Sequence, residues 1–312
     1  MKKVVVVASA LLCLCLTAAS ALASPPEAKR GPLGIVPAHN QAAKRGGGSN
    51  LTYHGGPVMQ TNNTYAIYWD PAGFTMQSNY ATTIDQFLGD VAADSGKTSN
   101  VYYSDTQYYS GTNNLIQYSS AFKGSVVDTT GFPGGGCTDN VAQTTVCLSD
   151  AQLRAEIDTV ATANNWPRAG SLFFIFTPKN VGSCDSPGSC AFSTYCAYHW
   201  NFGSGASQTL YANQPYTMTA PTGCGSGQSP NASDADSTIN VTSHEHNEAI
   251  TDPLGSAWFD SRGAENGDKC AWTFGTASGP AGAQYNQTIN THHYYLQREW
   301  SNRSVGCVLT GW

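Results

Sequence analysis

The sequence predicts a mixed α+β domain. Three observations carry that expectation: apolar residues recur at helical spacing in separate stretches, short β-branched and aromatic runs are closed by proline, and the two kinds of segment alternate. The first run, Thr64-Tyr65-Ala66-Ile67-Tyr68-Trp69, reads as a strand stopped by Asp70-Pro71. From Thr75 to about Ala93, Tyr80, Ile84, Phe87, Leu88 and Val91 share one helical face. Asn100 to Tyr109 reads as extended structure. Ser149 or Asp150 caps a helix running to about Asn164, with Leu153, Ile157, Val160 and Ala161 on one side. Ser171 to Phe176 is a short apolar run closed by Pro178, as a central buried strand would be. The next stretch, about sixty residues rich in Gly, Ser and Cys, reads as stapled loops. Ser237 to Ile250 is the last helix, stopped by Asp252-Pro253. Trp258-Phe259, a Glu-Asn-Gly-Asp turn and a Tyr-rich tail follow.

Composition narrows the function classes. Only 12% of the 312 residues are charged, about half the usual share, while 16 tyrosines and 7 tryptophans argue against disorder. The formal charge is -6, and no basic cluster is present, so nucleic acid is excluded as a partner.

The N-terminus reads as an export signal. Met1-Lys2-Lys3 is basic, Val4 to Ala18 is apolar, and Ala21-Leu22-Ala23 is a small-x-small cleavage site, so residues 1-23 are expected to be a signal peptide. No other stretch has the length of apolar residues that spans a bilayer. A secreted protein without membrane attachment is the expectation, with a monomer favoured. Residues 24-50 carry Pro, Gly and small residues without an apolar period, and read as a flexible leader or propeptide-like linker. Lys29-Arg30 and Lys44-Arg45 within it are dibasic. Residues 51-312 read as one domain.

Eight cysteines follow the signal: Cys137, Cys147, Cys184, Cys190, Cys196, Cys224, Cys270 and Cys307. An even number in an exported chain suggests disulfides, and the Cys184, Cys190 and Cys196 spacing lacks the close pairs of a thiolate zinc site. Local pairing is the simplest expectation: Cys137 with Cys147, Cys184 with Cys190, Cys196 with Cys224, and Cys270 with Cys307.

The densest run of possible ligands is Thr242-Ser243-His244-Glu245-His246-Asn247-Glu248. On a helix, His244 and Glu248 stand at i and i+4 and face a common centre, an imidazole and a carboxylate that suit Zn2+. Glu245 lies about 100° round from His244, where a zinc peptidase keeps its general base. His246 falls on another face, supporting the site from behind or exposed. A third ligand must come from elsewhere, and Glu265-Asn266-Gly267-Asp268 offers Glu265 or Asp268 on a tight turn. Spacing does not rank the two. Asp252 and Asp260 are weaker candidates, and Asp252 is equally suited to capping the next turn. His292 and His293 read chiefly as edge-strand residues, and His54 and His199 as hydrogen-bonded structural histidines. Oxygen-only coordination would favour Ca2+, whereas a histidine ligand favours Zn2+.

Several segments resemble the EXORDIUM-like, phosphate-induced family of secreted proteins: Leu51 to Val58 with the strand ending at Trp69, the Phe174 strand running into Cys184, Cys190 and Cys196-Ala197-Tyr198-His199, and the tail from Tyr285 to Cys307. Plant members are associated with the cell wall and growth control. Bacterial-type relatives carry a His-Glu helix and a Glu-x-Gly-Asp-x-Cys turn, matched here at His244-Glu245 and Glu265 to Cys270. The resemblance implies a zincin-like single domain and a metallopeptidase acting on a polypeptide substrate through a metal-activated water, with Glu245 as base. The rival expectation is a non-catalytic extracellular or cell-wall protein, with Ca2+ in place of Zn2+.

Overall fold

The computed structural model describes Met1 and residues 34–42, 49–139, 141–142 and 144–312. The expected signal peptide and both dibasic pairs lie outside the described residues. Everything below concerns the unit Gly31–Trp312.

A six-stranded mixed sheet organises this unit. Its strands are β1 (Ile35–Pro37), β2 (Asn62–Trp69), β3 (Ser120–Asp128), β4 (Ser171–Phe176), β5 (Tyr195–Phe202) and β6 (Thr209–Gln214). They lie in the order β1-β5-β6-β4-β2-β3. The β6-β4, β4-β2 and β2-β3 pairs are parallel, whereas β1-β5 and β5-β6 are antiparallel. Helices α1 (Tyr80–Ala93), α2 (Asp150–Ala163) and α3 (Ala235–Thr251) pack on the sheet.

Strand alternation assigns the helices to opposite faces. Ala66, Tyr68, Phe174, Phe176 and Ala212 share a core with Tyr80, Ile84 and Phe87 of α1 and Ile239 and Ala249 of α3. Tyr65, Ile67, Phe173 and Ile175 share the other with Leu153, Ile157 and Val160 of α2. Every residue of β4 is buried, which explains its unbroken apolar run. The expected mixed helix-and-sheet class is therefore what the chain adopts.

Local signals account for most boundaries. Ser149 and Gln152 form a reciprocal capping box at the start of α2. α1 starts at Tyr80, later than the expected Thr75, because Gln77 is recruited elsewhere: its Oε1 accepts from the Asp234 amide at 2.6 Å, at the entrance of α3. Asn100 to Tyr109, expected to be extended, instead contains a 3-10 helix over Val101–Gln107. The Asn100 side chain caps it by accepting from the Tyr102 amide, and Ser104 and Gln107 bond back to main-chain carbonyls three residues earlier.

Two further differences matter for the site. The stretch expected to be stapled loops supplies β5 and β6, two strands of the main sheet. The segment expected to be a flexible leader supplies β1, followed by a short helix at His39–Ala42.

All four local disulfides form: Cys137–Cys147, Cys184–Cys190, Cys196–Cys224 and Cys270–Cys307. The Cys196–Cys224 bridge fastens β5 to the short helix Pro221–Cys224 that precedes α3. No described helix is long and apolar enough to cross a membrane.

Candidate metal centre

α3 is an unusual core helix, because it is largely polar and all of its residues are buried. Several of its polar side chains are hydrogen-bonded by neighbours in the fold. Thr242 donates to Gln214 Oε1 at 3.1 Å, Asn240 Oδ1 accepts the Gln297 amide at 2.7 Å, and Thr251 donates to Asn266 Oδ1 at 3.2 Å. His246 is hydrogen-bonded through both ring nitrogens, to Asn62 Oδ1 at 2.9 Å and Tyr102 OH at 3.2 Å. Burial lowers its pKa to about 3, so the ring is neutral. Of the two places expected for His246, the exposed one is ruled out.

His244, Glu245 and Glu248 project from α3 toward β5 and the turn after the helix. His244 Nε2 lies 3.0 Å from Glu248 Oε1, as their i,i+4 spacing predicts. The other ring nitrogen of His244 is hydrogen-bonded to the Gln297 side-chain amide. That contact orients the ring from behind, as partners of metal-ligating histidines do.

The Glu265-Asn266-Gly267-Asp268 turn closes against the helix. A Cβ on Gly267 would lie 2.8 Å from the His244 ring, so only glycine permits this approach. The Asp268 amide donates to Glu248 Oε1 at 2.8 Å, and Asp268 Oδ2 accepts from the Glu265 amide at 3.4 Å. Trp300 donates its amide to the Asn266 carbonyl, and Cys270–Cys307 ties the turn to the C-terminal hairpin.

His199 completes the cluster from β5. Its register partner on β6 is Ala212, a residue of the α3-facing core, which fixes the side of the sheet on which His199 stands. His199 Nδ1 is 3.0 Å from Glu245 Oε2 and 3.7 Å from Glu248 Oε2, and Nε2 is 3.8 Å from Glu265 Oε2. Two overlapping groups result, His199 with Glu248 and Glu265, and His244 with Glu245 and Glu248. Within each, one donor atom per residue lies within 4.8 Å of the others, and Glu248 belongs to both.

These buried His and Glu groups could hold a metal ion. Both Glu265 oxygens are buried without a hydrogen-bond partner among the described residues. Burial, reinforced by Glu248, pushes the Glu245 carboxyl well above its usual range. Burial, then Glu248 and Asp252, does the same to Glu265. Lys269 is directed elsewhere, to Asp260 Oδ2 at 3.3 Å and the Ser49 carbonyl at 2.9 Å. Buried carboxylates grouped this way are costly unless protonated or matched by a cation.

Of the residues singled out in the sequence, His244, Glu245, Glu248 and Glu265 are brought together. Asp268 is outside both groups and shapes the turn. Asp252 Oδ1 accepts the amides of Ser256 and Ala257, each at 2.6 Å, so it caps the turn after α3. Asp260 likewise caps a turn through the Arg262 and Ala264 amides. His292, on an edge hairpin as expected, pairs with Asp90 at 2.8 Å. His199 belongs to the site, contrary to its expected structural role. A strand reading of Tyr195 to Phe202 would have put His199 on an identifiable face, but the surrounding Cys, Ser and Gly residues masked that signal. No protein-family model, curated protein or solved structure matches this chain.

Proposed function

We propose that this is a secreted, zinc-dependent peptidase of zincin-like design, related to the bacterial-type EXORDIUM-like proteins. The observation that carries the reading is the burial of two overlapping groups, His199 with Glu248 and Glu265, and His244 with Glu245 and Glu248, beside the Glu265 carboxylate, whose two oxygens have no hydrogen-bond partner among the described residues. Mixed imidazole and carboxylate donors favour Zn2+ over Ca2+, which takes oxygen ligands alone. Four disulfides suit an oxidising, extracellular destination.

Glu248 would hold the metal from α3 with His199 from β5 and Glu265 from the turn, and His244 would stand against Glu248, so that a position stays open for water. Bound there, zinc would acidify water and polarise a peptide carbonyl. Glu245 would take the proton from the attacking water and return it to the leaving amine. Gln297 would keep the His244 ring in orientation, and the Asp268 amide would hold Glu248 through Oε1. A polypeptide substrate would lie extended along the sheet edge beside these groups.

A non-catalytic extracellular protein is the second reading, favoured by the complete burial of the centre beneath the chain's own N-terminal strand. Metal analysis of the purified protein, with degradation of an unfolded protein by wild type and Glu245→Gln, separates them. The peptidase reading expects bound zinc in both and cleavage by wild type alone. Metal-free protein, or equal cleavage by both, would sink it.

A further inference from the structure

The segment Gly34–Pro37 occupies the place where an extended peptide would meet the centre. β1 pairs antiparallel with β5, matching Ile35 to Tyr198 and Val36 to Ala197. The His199 amide donates to the Gly34 carbonyl at 3.2 Å. The Val36 amide donates to Glu245 Oε1 at 3.0 Å, so main chain reaches the carboxylate assigned as the base. Gly34 passes so close to the centre that a Cβ there would fall 1.8 Å from His199 Cε1 and 2.9 Å from Glu248 Oε2. No side chain fits at that point, and backbone alone covers the two ligands.

The attachment is short. β1 is three residues long, its register breaks between Val36 and Pro37, and Pro37 has no amide to donate. Beyond it, the Ala38 amide donates to Thr194, Trp272 Nε1 donates to the Pro37 carbonyl at 2.7 Å, and the exposed His39 ring stacks on Trp272. Without β1, β5 would be an edge strand with main-chain groups open beside His199, which is the arrangement used for recognition by strand addition.

We propose that the outer edge of β5, Tyr195 to His199, is a peptide-binding strand, and that Gly34–Ala42 is its displaceable resident, holding the centre closed until it leaves. As to substrate, this rests on the peptidase reading above. The displaced segment also describes the ligand class: an extended, unfolded polypeptide carrying glycine over His199 and Glu248, followed by two β-branched residues. Ile35 and Val36 fill those two places and belong to the same core as Tyr195, Cys196 and Ala197.

The test uses the full chain as wild type, Gly34→Val and Val36→Pro. Both substitutions act on the resident segment and leave every centre residue intact. The probe is a fluorescein-labelled synthetic peptide of residues 34–42, followed by anisotropy, together with hydrogen exchange of the His199 amide and hydrolysis of unfolded casein. Losing the Val36 amide's hydrogen bond to Glu245 or introducing the clash should loosen the segment by about tenfold or more. The variants should then bind the peptide, exchange the His199 amide and cleave casein about tenfold better than wild type, and unlabelled peptide should suppress the cleavage. Equal peptide binding and equal His199 exchange in all three chains would overturn the inference. Altered binding and exchange without hydrolysis by any form would uphold the resident strand and reject the peptidase reading. Equal hydrolysis by all three, unaffected by the peptide, would reject the resident strand and keep the peptidase. Should Gly34→Val and Val36→Pro fail to fold, His39→Ala, at an exposed position, makes the same comparison.

Discussion

His199 on β5 and Glu265 on the turn after α3 approach to 3.8 Å, Nε2 to Oε2, within a centre that excludes solvent. Their meeting joins sheet, helix and turn into one donor set. His199→Ala should therefore weaken zinc binding by at least about a hundredfold, the upper range for loss of a mere outer partner of a ligand. His54→Ala is the control, because His54 is exposed and stacks on Phe259. Competition against a chromogenic chelator measures both, and equal affinities would remove His199 from the set.

Metal removal should cost stability. A metal present at a hundred times its dissociation constant adds about 2.7 kcal/mol to folding. For a domain of this size, that corresponds to a melting shift of about 5–10 °C. Chelation should lower the wild-type melting temperature by this order and leave Glu265→Ala nearly unmoved. A wild-type melt indifferent to chelator would count against a resident ion.

A second acidic pair predicts a pH effect remote from the centre. Burial, and then the neighbouring Asp128, raise Glu156 on α2 from 4.5 to about 8. Burial pushes Asp128 up as well, but hydrogen bonds from Glu156 and Thr130 outweigh it and bring Asp128 below its usual value. The folded chain thus holds a proton on Glu156 that the unfolded chain releases near pH 4.5. Stability from this site is present at low pH and declines as pH rises from about 4.5 to 8. Glu156→Gln, which keeps a donor and cannot ionise, should flatten the decline: melting temperatures near wild type at pH 4 and higher than wild type at pH 9. A constant difference across that range would contradict the shared proton.

The legible and illegible parts of the sequence differ for physical reasons. His244 and Glu248 could be found because helical spacing places i and i+4 on one face, and Glu265 because Asn266-Gly267 announces a turn. The helices α1 to α3 and strands β2 and β4 were legible from apolar period or closing prolines. β5 was not, since its site-facing His199 and its cysteine replace the expected apolar alternation. β1 was illegible for another reason: three residues contain no measurable period, and its pairing depends on partners far along the chain. Val101–Gln107 shows propensity misleading outright, because its tyrosines favour strands while Asn100, Ser104 and Gln107 close the backbone into a tighter helix.

The Cys270–Cys307 bridge gives a prediction that separates stability from site geometry. It closes 37 residues of chain, and the loop-closure cost it removes from the unfolded state is about 4 kcal/mol. The double variant Cys270→Ser/Cys307→Ser should fall in stability by up to that amount. The same bridge anchors the end of the Glu265 turn, whereas Cys137–Cys147 lies near the start of α2. Loosening the turn should release the Asp268 amide from Glu248 and the Glu265 carboxylate from His199 together. Zinc affinity should therefore drop much further in the Cys270/Cys307 variant than in Cys137→Ser/Cys147→Ser, even where folding is complete by circular dichroism. If both double variants bind zinc like wild type while melting early, the bridge serves the fold alone and the turn holds its geometry without it.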